Sequence, residues 1–307
     1  MPKNIALLTS KSASEILGVH ESSVKRWSNL GELPFHSTVG GHRRFAWEDL
    51  LRYANQHNIS HAYADFETRA LGVYAAKENY QKQLTLTSFG DLIREWMEEG
   101  HLTSLHFLLV FMVEQLKIPF VKIADELIFP SMVLIGQWWE EGKIDTAQEH
   151  RLSQEWNHAL NVLRHKKNRL CPPKFLTGRL AILACSDENT HELALHCLRI
   201  LLEERDFGVI FLGARVPDHQ LKACIEREKP ALVAVSFSPL DGPQDIQRSY
   251  QTLSKVDPQH QAFDLAFGGG RVRHDSKDGI SPSPPMARFG HFKSLQDFCQ
   301  WLELGKS

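Results

Sequence analysis

Hydrophobic and polar positions along the chain follow three successive patterns. Over residues 1–60, apolar side chains recur every three to four positions in short runs, with basic residues between them. Over residues 85–168 the same helical spacing continues in longer runs. Over residues 178–305 short, continuous apolar runs alternate with helical ones. A chain of 307 residues with three such patterns is predicted to be multidomain, because one core rarely organises so many residues.

The first pattern predicts two short helices, a hairpin and a third helix. In "SASEILGVHESSVKRWSNLGELP" two apolar faces flank Gly18, and Val24, Trp27 and Leu30 are expected to form the inner face of the second helix. The segment "PFHSTVGGHRRFAW" predicts a β-hairpin with its two adjacent glycines at the tip. The segment "WEDLLRYANQH" predicts the third helix. This order of elements is that of a winged helix-turn-helix.

The middle of the chain predicts a four-helix bundle. Residues 61–84 show little periodicity and are expected to form a linker with some helical character. Beyond them, residues 85–168 carry apolar positions at helical spacing, interrupted at Pro119 and Pro130. This α-helical bundle is predicted to consist of four helices, near 87–98, 103–116, 120–138 and 145–166.

The last region, 178–305, predicts an α/β domain with a parallel sheet. The runs "RLAILAC", "GVIFLG", "ALVAVSF" and "FDLAFGG" are predicted strands, and helical patterns separate them. A Pro/Ser-rich loop is expected after the last of these runs, followed by a final helix near 293–303. Continuous apolar strands with helical crossovers indicate a sheet covered on both faces. A five-stranded, flavodoxin-like sheet fits this pattern.

Composition narrows the compartment and the class of activity. No apolar run reaches the thickness of a bilayer, and the N-terminus lacks the pattern of a signal peptide. The 5 cysteines are scattered without a Cys-x-x-Cys pair, which favours reduced thiols in a cytoplasm. The protein is therefore expected to be cytoplasmic and to have no membrane partner. No Ser-His-Asp set, carboxylate pair of defined spacing or phosphate loop is found, so an enzyme is not expected.

The second helix and the hairpin carry residues that suit DNA. The net charge of the chain is −2, so DNA binding requires a local basic patch. Arginine offers a planar donor fork for phosphates and base edges. A solvated basic turn would also explain this charge, but the order of helix, glycine turn, helix and basic hairpin favours double-stranded DNA. The candidate DNA contacts are Ser22, Ser23, Lys25, Arg26, His42, Arg43 and Arg44.

The segment "SASEILGVHESSVKRWSNLGELP…GGHRRFAWEDL" resembles the winged helix-turn-helix of the MerR family. The resemblance implies a dimeric or larger reader of an operator with paired half-sites. It also implies that the 22–29 helix enters the major groove, with half-sites ~34 Å or a multiple of that apart.

Three predicted strands end in residues that suit a ligand. The first runs into "CSDENTHELA", where His191 stands at the start of a helix, the third ends at Ser236, and the fourth ends at Gly268 and Gly269. The carboxyl ends of parallel strands meet at one edge of the sheet, where open α/β folds bind ligands. Each residue alone has an ordinary explanation, such as a capping histidine or a tight glycine turn. Together they predict a slot with one metal-binding nitrogen.

These residues resemble the cobalamin-binding domain, which carries an acidic residue before a histidine, then Ser-x-Leu, then Gly-Gly. The resemblance implies that His191 is the lower axial ligand of cobalt. It implies that Ser236 meets the displaced nucleotide tail and that Gly268 and Gly269 give the tail room.

Three positions depart from the family pattern. Asn189 stands where the family has a carboxylate, Ala194 where it has glycine, and Ser238 where it has leucine. The carboxylate of the family orients the histidine ring and raises its basicity. Because Asn189 brings no charge, weaker donation from His191 to cobalt is expected.

The stretch "GQWWEEGKIDTAQEHRL" resembles a motif on the helical cap of cobalamin-dependent light-sensing regulators of the MerR class, the CarH/LitR type. The resemblance implies that Trp139 packs against the adenosyl group, that Glu149 hydrogen-bonds to it, and that His150 lies beside the same face. A core tryptophan with a surface Glu-His pair is the ordinary alternative. Glu140 follows the tryptophan, where some members carry a histidine.

The resemblance covers nearly the whole chain in the right order. It implies a light-responsive transcriptional regulator, expected to be a repressor, that uses adenosylcobalamin and forms a homo-oligomer, a dimer or tetramer. Photolysis of the cobalt–carbon bond would change the oligomer and its DNA affinity. Two alternatives remain: a DNA-binding sensor with haem or a bilin, since the chain has 16 histidines, and a corrinoid carrier for methyl transfer.

Overall fold

The structure, a computed structural model, divides the chain into two compact units, Met1–Phe111 and Met112–Ser307. It describes residues 7–100, 102–170, 179–256, 262–270 and 286–304. The predicted Pro/Ser-rich loop lies for the most part outside the described residues.

The first unit opens with the predicted winged helix-turn-helix. Its strands pair antiparallel in the order β1-β3-β2, so a strand that precedes the first helix joins the predicted hairpin. Gly18 ends the first helix at a φ of +64°, a left-handed conformation that glycine adopts without strain. The elements are β1 (Leu7–Thr9), α1 (Ser10–Leu17), α2 (Glu21–Asn29), β2 (His36–Ser37), β3 (Arg43–Ala46) and α3 (Trp47–Gln56).

Leu30 does not lie on the inner face of α2, contrary to the prediction. The helix ends at Asn29, and the side chain of Leu30 is 65% exposed. Because the chain turns at Gly31, helical periodicity does not extend beyond this point. Leu33 is fully buried instead.

We call the winged helix-turn-helix, which ends with α3, the reader. Further helices follow it within the same unit. Residues 61–84, for which a linker with some helical character was expected, contain the 3-10 helix Ala64–Arg69 and α4 (Ala70–Gln83). The helices α5 (Thr87–Glu98) and α6 (Leu105–Val110) come next, near the positions predicted for the first two helices of the bundle.

Four aromatic residues pack against one another between the reader and these helices. The ring of Trp47 lies 5.8 Å from that of Tyr63 and 5.7 Å from that of Tyr74, measured between centroids. Tyr63 also contacts Phe111 at 5.6 Å. All four side chains are buried, and we call them the aromatic junction. Aromatic pairs at these distances add to the stability that burial supplies.

The second unit begins with the remaining helices of the predicted bundle. A π-helical segment, Ala124–Ile128, lies between two α-helices, so that the chain stays helical from residue 120 to residue 140. Among the helices that the structure describes, none is both long enough and apolar enough to cross a lipid bilayer. The α-helices are α7 (Phe120–Ile123), α8 (Phe129–Glu140) and α9 (Thr146–Leu170).

A five-stranded parallel sheet forms the core of the second unit. The strand order is β5-β4-β6-β7-β8, the flavodoxin-like order in which the first strand lies inside the second. Helices connect the first four strands and pack against the sheet. The strands are β4 (Arg179–Cys185), β5 (Phe207–Gly213), β6 (Leu232–Phe237), β7 (Phe263–Gly269) and β8 (Met286–Phe292), and the helices are α10 (Leu193–Glu203), α11 (Asp218–Glu228), α12 (Pro243–Leu253) and α13 (Leu295–Leu304).

The fifth strand has no counterpart among the apolar runs of the sequence. β8 lies at the edge of the sheet, and Met286 is its only buried residue. An edge strand of this kind does not need a continuous apolar run, which explains why "MARFGHF" does not resemble the four inner runs.

Two polar contacts hold the helices of this unit against the α/β fold. Arg164 on α9 makes a bidentate pair with the buried Glu203 on α10, with N–O distances of 2.7 and 2.8 Å. The Asp125 carboxylate accepts hydrogen bonds from the backbone N–H groups of Leu295 and Gln296, both at 3.0 Å. These N–H groups lie in the first turn of α13, where a negative charge is favourable.

Candidate functional site

The predicted ligand residues meet at the carboxyl edge of the sheet. The register places Cys185 beside Ser236 and Ser236 beside Gly268, on three neighbouring strands. Ser236 is buried. The topology therefore brings together residues that the sequence separates by more than thirty positions each, as expected for an open parallel sheet.

His191 is exposed on the loop that follows β4, two residues before α10 begins. Asn189, only 1% exposed, holds this loop in place. Its Nδ2–H donates to the carbonyl oxygen of Ser236 at 2.9 Å, and its Oδ1 accepts from the backbone N–H of His191 at 2.8 Å. Asn189 thus contacts the backbone of His191 and not its ring.

A second buried contact joins the same loop to the loop after β6. The Ser186 hydroxyl lies 3.0 Å from both carboxylate oxygens of Asp241. The backbone N–H of Ser238 donates to Asp241 at 2.5 Å. All three residues are buried, so these bonds are shielded from water. Sequence analysis missed Ser186 and Asp241, which differ from ordinary loop residues only in this pairing.

The glycines at the end of β7 allow close approach of the chain at the end of β6. Gly269 has a φ of +106°, and a Cβ at this position would lie 2.1 Å from the carbonyl oxygen of Phe237. A Cβ on Gly270 would lie 2.7 Å from a ring carbon of Pro239. Gly268 is less restricted, since its Cβ would meet the carbonyl oxygen of Phe292 at an ordinary 3.7 Å. The structure thus gives Gly269 a packing role at the site.

Cys185 is not available as a thiolate at this edge. Burial, with smaller contributions from the charges of Glu192 and Asp241, raises the pKa of its thiol to about 12. The thiol therefore stays protonated at neutral pH. Within the described part of the chain, no group of three or more His, Cys, Asp or Glu side chains could hold a metal ion.

The motif on the helices lies at the turn between α8 and α9. Trp138 is buried, whereas Trp139 is 50% exposed and its Nε1–H donates to the Thr146 hydroxyl at 3.2 Å. The Glu149 carboxylate contacts the ring of the exposed His150 and accepts a hydrogen bond of 2.6 Å from the Ser153 hydroxyl. The structure therefore brings Trp139 to the first turn of the helix that carries the Glu-His pair.

The reader exposes most of its predicted DNA contacts. On α2, Ser22, Lys25 and Arg26 are exposed and Ser23 is partly exposed, and Lys25 pairs with Glu21 at 2.8 Å. His42 is exposed at the hairpin tip, and Arg44 is partly exposed beside it.

Arg43 is used within the reader. Its guanidinium donates to the carbonyl oxygen of Lys25 at 3.0 Å, to the Ser28 hydroxyl at 2.9 Å and to the Asn29 side chain at 2.5 Å. It also lies 5.0 Å above the ring of Phe35. These contacts fix the hairpin, which is the wing of the fold, against the C-terminal end of α2. Arg43 therefore positions the hairpin.

Comparisons with known proteins agree with this architecture. Residues 7–58 match a family described as a helix-turn-helix domain. The HTH-type transcriptional repressor CarH of Myxococcus xanthus is 28% identical over 156 residues, which are 51% of this chain and 50% of the relative. The chain therefore matches about half the length of this curated relative.

A solved structure, the monomethylamine corrinoid protein of Methanosarcina barkeri, superposes with a TM-score of 0.53 at 16% identity. The match covers 72% of this chain and 100% of that one. At this identity the similarity shows the fold alone. The predicted fold class and the predicted resemblance to regulators of the CarH type are confirmed.

Proposed function

We propose that the protein is a DNA-binding transcriptional regulator that senses light through adenosylcobalamin. The observation that carries the proposal is the placement of His191, exposed on the first carboxyl-edge loop of a flavodoxin-like sheet in a chain that begins with a DNA reader. The similarity to a helix-turn-helix repressor over half the chain supports the same reading.

The residues at the carboxyl edge fit a corrinoid held through one histidine. Among the described residues, the His191 ring makes no hydrogen bond, so its nitrogens remain available to a metal. Ser236 and Gly268 lie side by side on the neighbouring strands and offer a small hydroxyl and a position without a side chain. In this proposal His191 would hold the cobalt, Ser236 would contact the nucleotide tail, and Gly268 and Gly269 would leave room for that tail.

The helical residues would hold the upper side of the cofactor. Trp139 offers a half-exposed indole, and a large flat ring stacks on a nucleobase at little entropic cost. Glu149 offers a carboxylate that is already oriented by Ser153, and His150 lies next to it. When bound, adenosylcobalamin would supply a cobalt–carbon bond that light can break.

The response would reach DNA through the oligomer. We propose that the chain forms a dimer or tetramer in the dark, so that several readers act on one operator as a repressor. Linked readers raise the effective concentration of each reader at its half-site. A change in the packing of Trp139 on illumination would dissociate this assembly and lower the affinity for DNA, without a change in the reader itself.

The test is a visible absorption spectrum of the full-length protein after mixing with adenosylcobalamin and desalting, before and after green illumination. We expect retained cobalamin and a spectral change on illumination. DNA binding and oligomer size, measured on the same samples, are expected to fall together in the light.

Two variants test the proposed roles of His191 and Trp139 separately. His191→Ala should change the cobalt spectrum or weaken retention, and Trp139→Ala should retain cobalamin but uncouple illumination from oligomer size. Protein that retains no cobalamin, yet retains haem or a bilin, would replace the proposed cofactor by another tetrapyrrole. Retained cobalamin without any binding to duplex DNA would favour a corrinoid carrier.

A further inference from the structure

The loop that follows β5 is hydrogen-bonded to the loop that carries His191. The backbone N–H of Ala214 donates to the Glu192 carboxylate at 2.6 Å. The backbone N–H of Arg215 donates to the carbonyl oxygen of Asn189 at 3.1 Å. Asn189 and Glu192 flank His191 along the chain. The two contacts therefore place the backbone of Arg215 beside His191, at the carboxyl edge of the sheet.

Arg215 has an unusual backbone conformation for its place in the fold. Its φ is +52°, in the left-handed region that residues with a side chain seldom adopt. Each of the other five non-glycine residues with a positive φ in the described ranges lies within three residues after the end of a helix, where this conformation completes the helix terminus. Arg215 instead follows a strand. Strain of this kind is concentrated at binding sites and switches.

The side chain of Arg215 is not used by the fold. The residue is exposed, and its guanidinium makes no hydrogen bond or ion pair with the part of the chain that the structure describes. It is also the only lysine or arginine in the loops that follow β4, β5 and β6, all of which are described. A guanidinium offers five N–H donors and no acceptor, so it suits a ligand that carries oxygen acceptors.

The order of the strands indicates which part of a ligand Arg215 can reach. In the sheet, β5 lies on one side of β4, whereas β6 and β7 lie on the other. Ser236 and Gly268, the residues proposed for the nucleotide tail, belong to β6 and β7. Arg215 therefore lies across β4 from the proposed tail slot. A corrinoid held by His191, with its tail along Ser236, would present the edge of its ring to Arg215.

We propose that Arg215 binds the corrin ring by donating hydrogen bonds to carboxamide oxygens at the edge of that ring. The inference rests on the proposed function. It adds a ligand-binding residue on the side of His191 opposite Ser236, and its contribution to affinity is independent of the nucleotide tail.

The test measures the affinity of full-length Arg215→Asn in the dark for adenosylcobalamin and for adenosylcobinamide, which has the same ring but no nucleotide tail. Asparagine tolerates the left-handed conformation and removes the guanidinium. We expect both affinities to fall by the same factor, about tenfold, because the lost hydrogen bonds go to the ring. The cobalt spectrum of the saturated variant should match that of the wild type, because His191 is retained. Without any cofactor, the variant should melt at the wild-type temperature or higher.

Lys229→Asn is the matched control. Lys229 is exposed, has a φ of +49° and precedes β6, at the opposite edge of the sheet. The control removes the same charge from the same backbone conformation, so neither corrinoid affinity should change.

Unchanged affinities of Arg215→Asn for both corrinoids would overturn the inference. A loss confined to adenosylcobalamin would also overturn it, because Arg215 would then act on the tail. A lower melting temperature of the cofactor-free variant would assign Arg215 a structural role instead. A wild-type protein that binds neither corrinoid would refute the proposed function, and this inference with it.

Discussion

Asn189 shows why one atom of difference from a carboxylate matters at this site. Its side chain donates to the carbonyl oxygen of Ser236 and accepts from the N–H of His191. An amide does both, whereas an ionised carboxylate accepts but cannot donate. Restoring the acidic residue of the cobalamin-binding pattern would therefore not restore that family's geometry in this chain.

We expect Asn189→Asp to lower the free energy of unfolding of the second unit by ~1–3 kcal/mol, because the Ser236 carbonyl oxygen would lose its donor and face a buried carboxylate. Urea unfolding at neutral pH measures this change, with Asn161→Asp on α9 as a control for the substitution itself. Unchanged stability together with a strengthened histidine–cobalt spectrum would contradict the assigned role.

At the residue scale, the sequence predicts which residues belong to the candidate site better than it predicts their hydrogen-bond partners. His191, Ser236 and Gly268 stand out because their residue types follow apolar strands, and the structure places all three at one edge of the sheet. The hydrogen bonds of Asn189 and Arg43 could not be predicted. Several of their partners are backbone groups, and the position of a backbone group in space cannot be read from the sequence.

At the scale of elements, the wing depends on Arg43. We expect Arg43→Ala to lower the stability of the reader by ~1–2 kcal/mol and to weaken DNA binding, since the hairpin loses its hydrogen bonds to α2. Thermal unfolding and binding to operator DNA at several salt concentrations measure both effects.

Arg26→Ala is the matched comparison, because Arg26 is exposed on α2 and its side chain makes no hydrogen bond to the described residues. It should weaken DNA binding and reduce the salt dependence by one contact, without changing the melting temperature. If Arg43→Ala behaved in this same way, Arg43 would be a direct DNA contact.

The contact between α9 and α10 predicts a pH dependence. Burial acts to raise the pKa of the Glu203 carboxyl, but hydrogen bonds from Arg164, Arg199 and Asn168 outweigh it and leave the pKa below its usual value. A carboxyl whose pKa is lowered in the folded state stabilises that state at pH values above its unfolded pKa, ~4.3. This stabilisation is lost as the pH falls below that value.

Glu203→Gln should therefore cost about 3 kcal/mol of unfolding free energy at pH 7 and less at pH 3, so that its pH profile is flatter than that of the wild type. Urea unfolding between pH 7 and pH 3 provides the profile. Glu303→Gln, at a mostly exposed residue that pairs loosely with Arg205 at 3.8 Å, should follow the wild type closely.

The strength of each element's pattern decided which elements could be predicted. The four inner strands and the helices of the bundle carry strong apolar periodicity and lie close to their predicted positions. The edge strands β1 and β8 bury few side chains and therefore show no apolar run in the sequence. Leu30 followed the helical spacing of α2, but the turn at Gly31 ended the helix before that spacing could apply.

At the scale of the whole molecule, the order of the regions was predictable and the grouping of their helices was not. The reader, the helices and the sheet follow one another as the sequence patterns indicate. Contacts nevertheless group the reader with the helices up to Phe111 and group the later helices with the sheet. Apolar spacing shows that a helix has a buried face, but it does not show which neighbour covers that face.

The aromatic junction also bears on how the reader can be isolated. A fragment that stops at residue 60 would retain Trp47 and lose Tyr63, Tyr74 and Phe111, exposing a tryptophan that is buried in the full chain. Such an exposed ring invites self-association, which would be mistaken for dimerisation on DNA. A fragment that ends at Phe111 keeps the four rings together. It is therefore the fragment in which the DNA affinity of the isolated reader is best measured.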